Sequence, residues 1–138
     1  MQIQPYLHAF NGRCEEAINF YQRVLSAEVV MMMRQKDHPE PCGEGMSPEF
    51  ADKIMHASLR IGDSVLMLSD GDCKNLAEQF HGFSLSLNPP DVATGERLFA
   101  ALAEGGEIRM PLGKTFWSPG FGIVTDRFGV AWMINVGL

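Results

Sequence analysis

Nowhere does the chain hold an uninterrupted apolar run approaching the ~20 residues that a membrane-spanning helix needs, and that absence argues against a helical membrane protein. Clusters of Lys or Arg are missing too. With 11 basic against 17 acidic residues and a formal net charge of −6, the chain offers no electrostatic grip on nucleic acid or an anionic lipid surface, so neither is an expected partner. Cysteine is scarce: Cys14, Cys42 and Cys73 are odd in number and widely spaced. That makes neither a disulfide framework nor a C-x-x-C zinc or redox pair, and it predicts reduced thiols. The opening Met1-Gln2-Ile3-Gln4-Pro5 lacks the basic start and apolar stretch of a secretory signal, so the expected compartment is the cytoplasm.

What is present is a strand-and-helix pattern that occurs twice. At 138 residues the chain is long enough for one core that buries roughly two-thirds of the unfolded surface. Residues 2–10 carry strand-compatible types, and Asn11-Gly12 turns the chain into a helix over Glu15 to Leu25. There Ala17, Ile18, Tyr21, Val24 and Leu25 recur at helical spacing and form one apolar stripe. Glu28 to Met33 reads as a buried strand, and Gln35 to Asp52, with three prolines and no period, as a long loop. Residues 56–61 and 64–69 alternate about the Gly62-Asp63 turn, which predicts a hairpin. The order then repeats. Phe83 to Leu87 reads as a strand, Asp91 as the N-cap of a helix that stops at Gly105-Gly106, and Glu107 to Met110 as a strand. Pro111 to Gly120 reads as a loop, followed by strands over 121–126 and 130–136 about Phe128-Gly129. The division is one domain over 1–138, with a first βαβββ half over about 1–75 and a second over about 76–138. Each half alone is too small to bury its sheet face well.

Several segments carry a family likeness. Pro5-Tyr6-Leu7, Phe10-Asn11-Gly12-Arg13-Cys14-Glu15-Glu16-Ala17 and Phe20-Tyr21 stand at the front, with His56-Ala57 and Met67-Leu68-Ser69-Asp70 in the middle. Thr115-Phe116-Trp117, Gly120-Phe121-Gly122, Asp126-Arg127-Phe128-Gly129 and Trp132-Met133-Ile134-Asn135 follow. Together they resemble the PhnB-like family of the vicinal oxygen chelate superfamily, which also holds glyoxalase I, bleomycin-resistance proteins and extradiol dioxygenases. The resemblance implies an α+β fold of two paired βαβββ modules, a half-open curved sheet around a cavity, often completed in a homodimer. One extra residue near His8-Ala9 departs from the commoner pattern and predicts a bulge in the first strand. The family also carries a ubiquinone methyltransferase name. The absence of a G-x-G-x-x-G loop for a dinucleotide-type cofactor rejects that reading.

Metal-using members of the superfamily place His or Glu at four strand positions, which by this resemblance fall near Tyr6, Met67, Phe83 and Met133. None of these side chains suits Zn²⁺, Ni²⁺ or Fe²⁺, so no cofactor is expected. If a divalent metal is held nonetheless, His8 and His56 are the candidate ligands, with His81 also nearby in sequence. Alternation puts Val65, Met67 and Ser69 on one strand face and Ala131, Met133 and Asn135 on another. These residues either line a pocket or, for the methionines, fill a core. The aromatic segment Lys114 to Gly122 is a candidate wall or lid, with Trp117 at its centre, or else a dimer contact. Trp132 points the other way, under a helix. Asp126, Asp70 and Asp72 read as turn residues. Cys14, at a helix start, has a setting that can lower a thiol pKa, but with no partner group beside it in sequence it reads as a helix-cap neighbour. Asp37, His38, Glu40 and Cys42 form a ligand-rich but Pro-broken cluster, read as solvated.

The expectation is therefore a protein binding a small, partly apolar metabolite at Met67, Ser69, Trp117, Phe121 and Met133 without an obligatory metal. The catalytic residues are unknown. The alternative is a metal-dependent lyase, isomerase or dioxygenase of the same fold, and a third reading makes the dimer surface itself the purpose.

Overall fold

The computed structural model describes residues 1–37, 48–71 and 78–137. The chain divides into two compact units, Met1–Gln79 and Phe80–Leu138.

In the first unit the order is β1 (Tyr6–Leu7), α1 (Cys14–Leu25), β2 (Glu28–Arg34), a single 3₁₀ turn over Gln35–Asp37, α2 (Pro48–Ala51), β3 (Ile54–Ile61) and β4 (Ser64–Leu68). The sheet runs β1-β4-β3-β2, with β1 parallel to β4 and the other pairs antiparallel. Helix α1 buries the expected stripe, joined by Cys14 and Phe20. It packs on β3 and β2, whose inward residues include Ala57 and Leu59; Leu66 and Leu68 of β4 are buried on the same face. The opposite face carries Tyr6, His56, Ser58, Val65 and Met67, as a period of two requires.

The start of α1 has an unusual anchor. A helix leaves its first N–H groups without partners, and Arg13 offers α1 no side-chain cap. Asp70, far along the chain, fills the gap: its Oδ1 accepts from Cys14 N at 2.9 Å and its Oδ2 from Ile54 N at 2.8 Å. Its own N–H donates to the Ile54 carbonyl at 2.9 Å. The carboxylate is only 2% exposed and faces the positive end of the helix. The turn role expected for Asp70 is thus replaced by a buried three-way tie between β4, β3 and α1.

The second unit holds β5 (Leu85–Leu87), α3 (Val92–Ala103), β6 (Glu107–Gly113), β7 (Phe121–Thr125) and β8 (Ala131–Asn135), in the order β5-β8-β7-β6. Asp91 caps α3 as expected, its Oδ1 accepting from Thr94 N at 2.7 Å. Trp132 is buried beside Val124 and Ile134 on the face that α3 covers, away from Met133, in line with the alternation. Gly122 permits close packing there, since an added Cβ would lie 2.8 Å from the Phe99 ring and 2.9 Å from Leu112 Cα. Asp126 keeps its turn role, accepting from Phe128 N and Val130 N, and also takes the Trp132 indole N–H at 2.9 Å.

Both units follow the α+β strand-helix-strand-hairpin plan expected from the repeat. Several boundaries differ. The first strand shrinks to Tyr6–Leu7 and the strand from Phe83 begins at Leu85. Strand β6 runs past Pro111 to Gly113, because it is an edge strand and needs no inward N–H there. The long loop begins as a 3₁₀ turn and ends in α2; residues 38–47 lie outside the described ones. The register irregularities fall in β2, β3 and β6 rather than in β1.

The Asp70 tie predicts the effect of Asp70→Asn. One amide oxygen would remain as an acceptor while the NH₂ group faced a backbone donor, so urea unfolding should show a loss of about 2–4 kcal/mol. A loss within ~0.5 kcal/mol would mean that the carboxylate is dispensable.

Candidate functional site

Register on the open face of the first sheet assembles the side chains. Tyr6 stands opposite Met67, Met67 opposite Ser58, and Ser58 opposite Met31; the next row pairs His56 with Met33. A one-residue irregularity between Val29 and Met31 sets this arrangement, since it moves Met31 and Met33 onto the face of Ser58 and His56. The polar groups are connected. His56 Nδ1 lies 2.9 Å from the Tyr6 hydroxyl, and His56 Nε2 lies 3.4 Å from Ser58 Oγ. The Tyr6 and His56 rings tilt against each other at 5.3 Å. Tyr6 is 42% exposed, so the hydroxyl chain borders open space. Burial of part of the ring pushes the Tyr6 phenol above its ordinary pKa, while a hydrogen bond from Ser69 pulls it down and the nearby Cys14 thiol raises it slightly.

Of the expected residues in this unit, Met67 is half-buried on the open face. Ser69 is buried just past the end of β4, where its Oγ accepts from Gly71 N at 3.0 Å and interacts with Tyr6. Tyr6, His56 and Ser58 as a connected set escaped the sequence reading. The available signal was parity, because His56 and Ser58 are two apart on a strand whose partner holds Met67.

In the second unit the equivalent parallel pair is Ser86 with Met133, and Ile123 and Met110 continue the row. The strand position matching Tyr6 is therefore Ser86; Phe83, the expected one, precedes the strand. Phe121 stands opposite Asn135, whose Oδ1 is buried without a hydrogen-bond partner. Trp117 meets Phe121 edge-on at 5.2 Å and Phe116 at 4.8 Å. Phe116 is 98% exposed and Trp117 47%. The loop that carries them is tightly held: buried Ser118 donates to the Gly120 and Val136 carbonyls, Gly120 N donates to Ser118 Oγ, and Ser118 N donates to Thr115 Oγ1 at 3.1 Å. Phe121, Trp117 and Met133 thus belong to one unit, and Met67 and Ser69 to the other.

The resemblance implies a metal in metal-using members, and the donors present here do not fit one. The two equivalent pairs are Tyr6 with Met67 and Ser86 with Met133, offering phenol, hydroxyl and thioethers in place of imidazole and carboxylate. His8 lies 3.3 Å from Glu78 and His56 is held by Tyr6. Among the described residues no three His, Cys, Asp or Glu side chains group as a metal would require. The Asp37 to Cys42 cluster falls mostly outside the described residues; Asp37 itself accepts from Arg34 N. Cys14 is fully buried beside Asp70, and burial pushes its thiol well up, the reverse of the activating setting its sequence position suggested.

A cleft of about 290 Å³ lies on the other side of the first unit, lined by Gly12, Glu15, Glu16, Asn19, Asp52, Lys53 and Asp70. Its charges already have partners: Glu15 with Arg34 at 2.6 Å, Asp52 with Lys36 at 2.9 Å, and Lys53 with the Gly12 carbonyl at 3.0 Å. That leaves the open sheet faces as the better candidates.

Residues 3–134 match the family model of the Glyoxalase/Bleomycin resistance protein/Dioxygenase superfamily. The protein YjdN of Escherichia coli (strain K12) is 44% identical over 144 residues, which cover 99% of this chain and 95% of the relative. Among solved structures, protein PA1353 from Pseudomonas aeruginosa is 48% identical with a TM-score of 0.88, over 99% of this chain and 98% of that one. The PhnB protein from Bacillus cereus is 26% identical with a TM-score of 0.80, over 99% and 100%, which supports the PhnB-like resemblance. With the family model spanning nearly the whole chain and a close relative aligned end to end, the chain belongs to the Glyoxalase/Bleomycin resistance protein/Dioxygenase superfamily.

Proposed function

We propose that the protein binds a small, partly apolar metabolite on its open sheet faces, with Met67 and Ser69 as ligand residues in the first unit and Trp117, Phe121 and Met133 in the second, and without an obligatory metal. The observation that carries this reading is the composition of the first face. Met31, Met33 and Met67 surround Tyr6, His56 and Ser58, which is an adaptable apolar surface with a few placed polar groups. A face of this kind in a solvated monomer would hold no structural purpose. The aromatic loop supports the same reading, because Ser118 fixes its backbone while Trp117 stays available.

The reading includes a cytoplasmic homodimer. Val29, Val30 and Met32 on edge strand β2, with Ile108 on β6, are exposed apolar side chains of a kind that a second copy covers. No helix among the described residues is long and apolar enough to cross a membrane.

Three outcomes are expected. In a thermal-shift titration, Zn²⁺, Ni²⁺, Mn²⁺ and Fe²⁺ leave the Tm unchanged; a saturable rise with a near-stoichiometric ion would favour the metal-dependent enzyme. Trp117→Ala weakens a ligand found by metabolite screening about tenfold, or ~1.4 kcal/mol, while unfolding stays within ~0.5 kcal/mol of wild type. Unaltered affinity would remove Trp117 from the site. Finally, Ser69→Ala raises the Tyr6 ionisation midpoint further in a ¹³Cζ-tyrosine NMR titration, since the hydroxyl that stabilises the phenolate is gone. A lower or unmoved midpoint would separate Ser69 from Tyr6.

A further inference from the structure

The hydrogens of the Tyr6, His56 and Ser58 side chains can be counted. A neutral imidazole has one N–H and one bare nitrogen, so it donates once and accepts once. His56 lies between two hydroxyls, Tyr6 at Nδ1 and Ser58 at Nε2. The chain is therefore directional. In one setting Tyr6 donates to Nδ1, Nε2–H donates to Ser58, and the Ser58 hydrogen is left over. In the other, Ser58 donates to Nε2, Nδ1–H donates to Tyr6, and the Tyr6 hydrogen is left over. Three hydrogens serve two links, so either setting leaves one donor and never an unfilled acceptor nitrogen.

We propose that Tyr6, His56 and Ser58 form a hydrogen-bond relay that presents one donor to a single acceptor oxygen, of the carbonyl type, on an otherwise apolar ligand lying against Met31, Met33 and Met67. The proposal rests on the reading that this sheet face binds ligand, and it adds the ligand's chemistry. Tyr6 is the group placed to touch the oxygen, because it stands at the end of the chain and is 42% exposed, opposite Met67. Ser69 Oγ, beside the phenol and accepting from Gly71 N, donates to the Tyr6 oxygen and so leaves the Tyr6 hydrogen for a ligand oxygen. His56 is a positioning residue: when its Nδ1–H donates to Tyr6, the Tyr6 hydrogen points outward. The charged pairs beside this face, Arg60 with Glu28 and His8 with Glu78, whose His8 ring lies 6.3 Å from the Tyr6 ring, are each closed on themselves and leave the recognition to neutral donors. A fully apolar ligand would leave the relay's spare hydrogen without an acceptor, and that loss sets the preference.

The experiment uses the full chain with methionine methyl groups labelled with ¹³C, titrated with acetophenone and, separately, with ethylbenzene, which lacks the oxygen. Acetophenone is expected to shift the methyls of Met31, Met33 and Met67 at a concentration at least fivefold lower than ethylbenzene. Its carbonyl stretch should fall on binding. Tyr6→Phe should abolish the infrared shift and the preference, so that both probes shift the three methyls at the same concentration, and His56→Gln should reduce the infrared shift with Tyr6 still in place. If the three methyls respond equally to both probes in wild type and in Tyr6→Phe, the relay reads no oxygen and the inference fails, although the apolar face still binds. If neither probe moves these methyls up to its solubility limit, the binding reading for this face fails, and the inference with it.

Discussion

The placement of everything in the first unit depends on one buried carboxylate. Asp70 receives the N-terminal amide of α1 and the first amide of β3 on its two oxygens, while its backbone belongs to the segment that leaves β4. Burying a charge this deeply is costly unless its oxygens are filled, and here backbone donors from two elements and the helix dipole fill them. The neighbouring amide of Ser69 donates to the Leu7 carbonyl at 2.9 Å and so completes the parallel pairing of β1 with β4. The separation of Tyr6 from His56, residues 50 apart in sequence, follows from that pairing. A candidate site on the open face is thus held by a tie on the covered side.

The two units solve the same problem by different means. Helix α3 is capped locally by Asp91, three residues before the amide it serves, whereas α1 is capped by a residue 56 positions away. This difference explains what could be read in advance. Asp91 was legible because its partner lies within one turn. The role of Asp70 was not, because an Asp beside a Gly looks like a turn until the fold brings Cys14 and Ile54 to it. The hairpin about Gly62-Asp63, the stripe of α1 and the opposite facing of Trp132 and Met133 were legible, since each follows from a local period. The Tyr6–His56–Ser58 set was not, since parity shows which side a residue takes but not which neighbour it meets. Strand β6 was cut short at Pro111 because proline's lost N–H matters only where a partner strand needs it, and edge position is a tertiary fact.

A sharper sequence signal lay in Glu28-Val29-Val30-Met31 and Glu107-Ile108-Arg109-Met110. In both, the first two residues pair in step with the next strand, the third has no partner, and the methionine resumes the ladder on the other face. The repeat therefore extends to this first irregularity of each unit. What varies between the units is the polar content of the open face: an imidazole and hydroxyls near Met67, a serine and an asparagine near Met133.

The unpaired Val30 makes registry in β2 a determinant of surface chemistry. With it, Met31 and Met33 share the side of Ser58 and His56 and Met32 takes the other. Pairing Val30 with Ser58 in a regular ladder would instead carry the same three methionines past β3 by one step and put Met32 opposite His56, without any change of side-chain type. The wall of this site is thus written in registry as much as in residue identity, so relatives of identical composition in this strand could diverge in what they hold through the presence or absence of one bulge at the sheet edge.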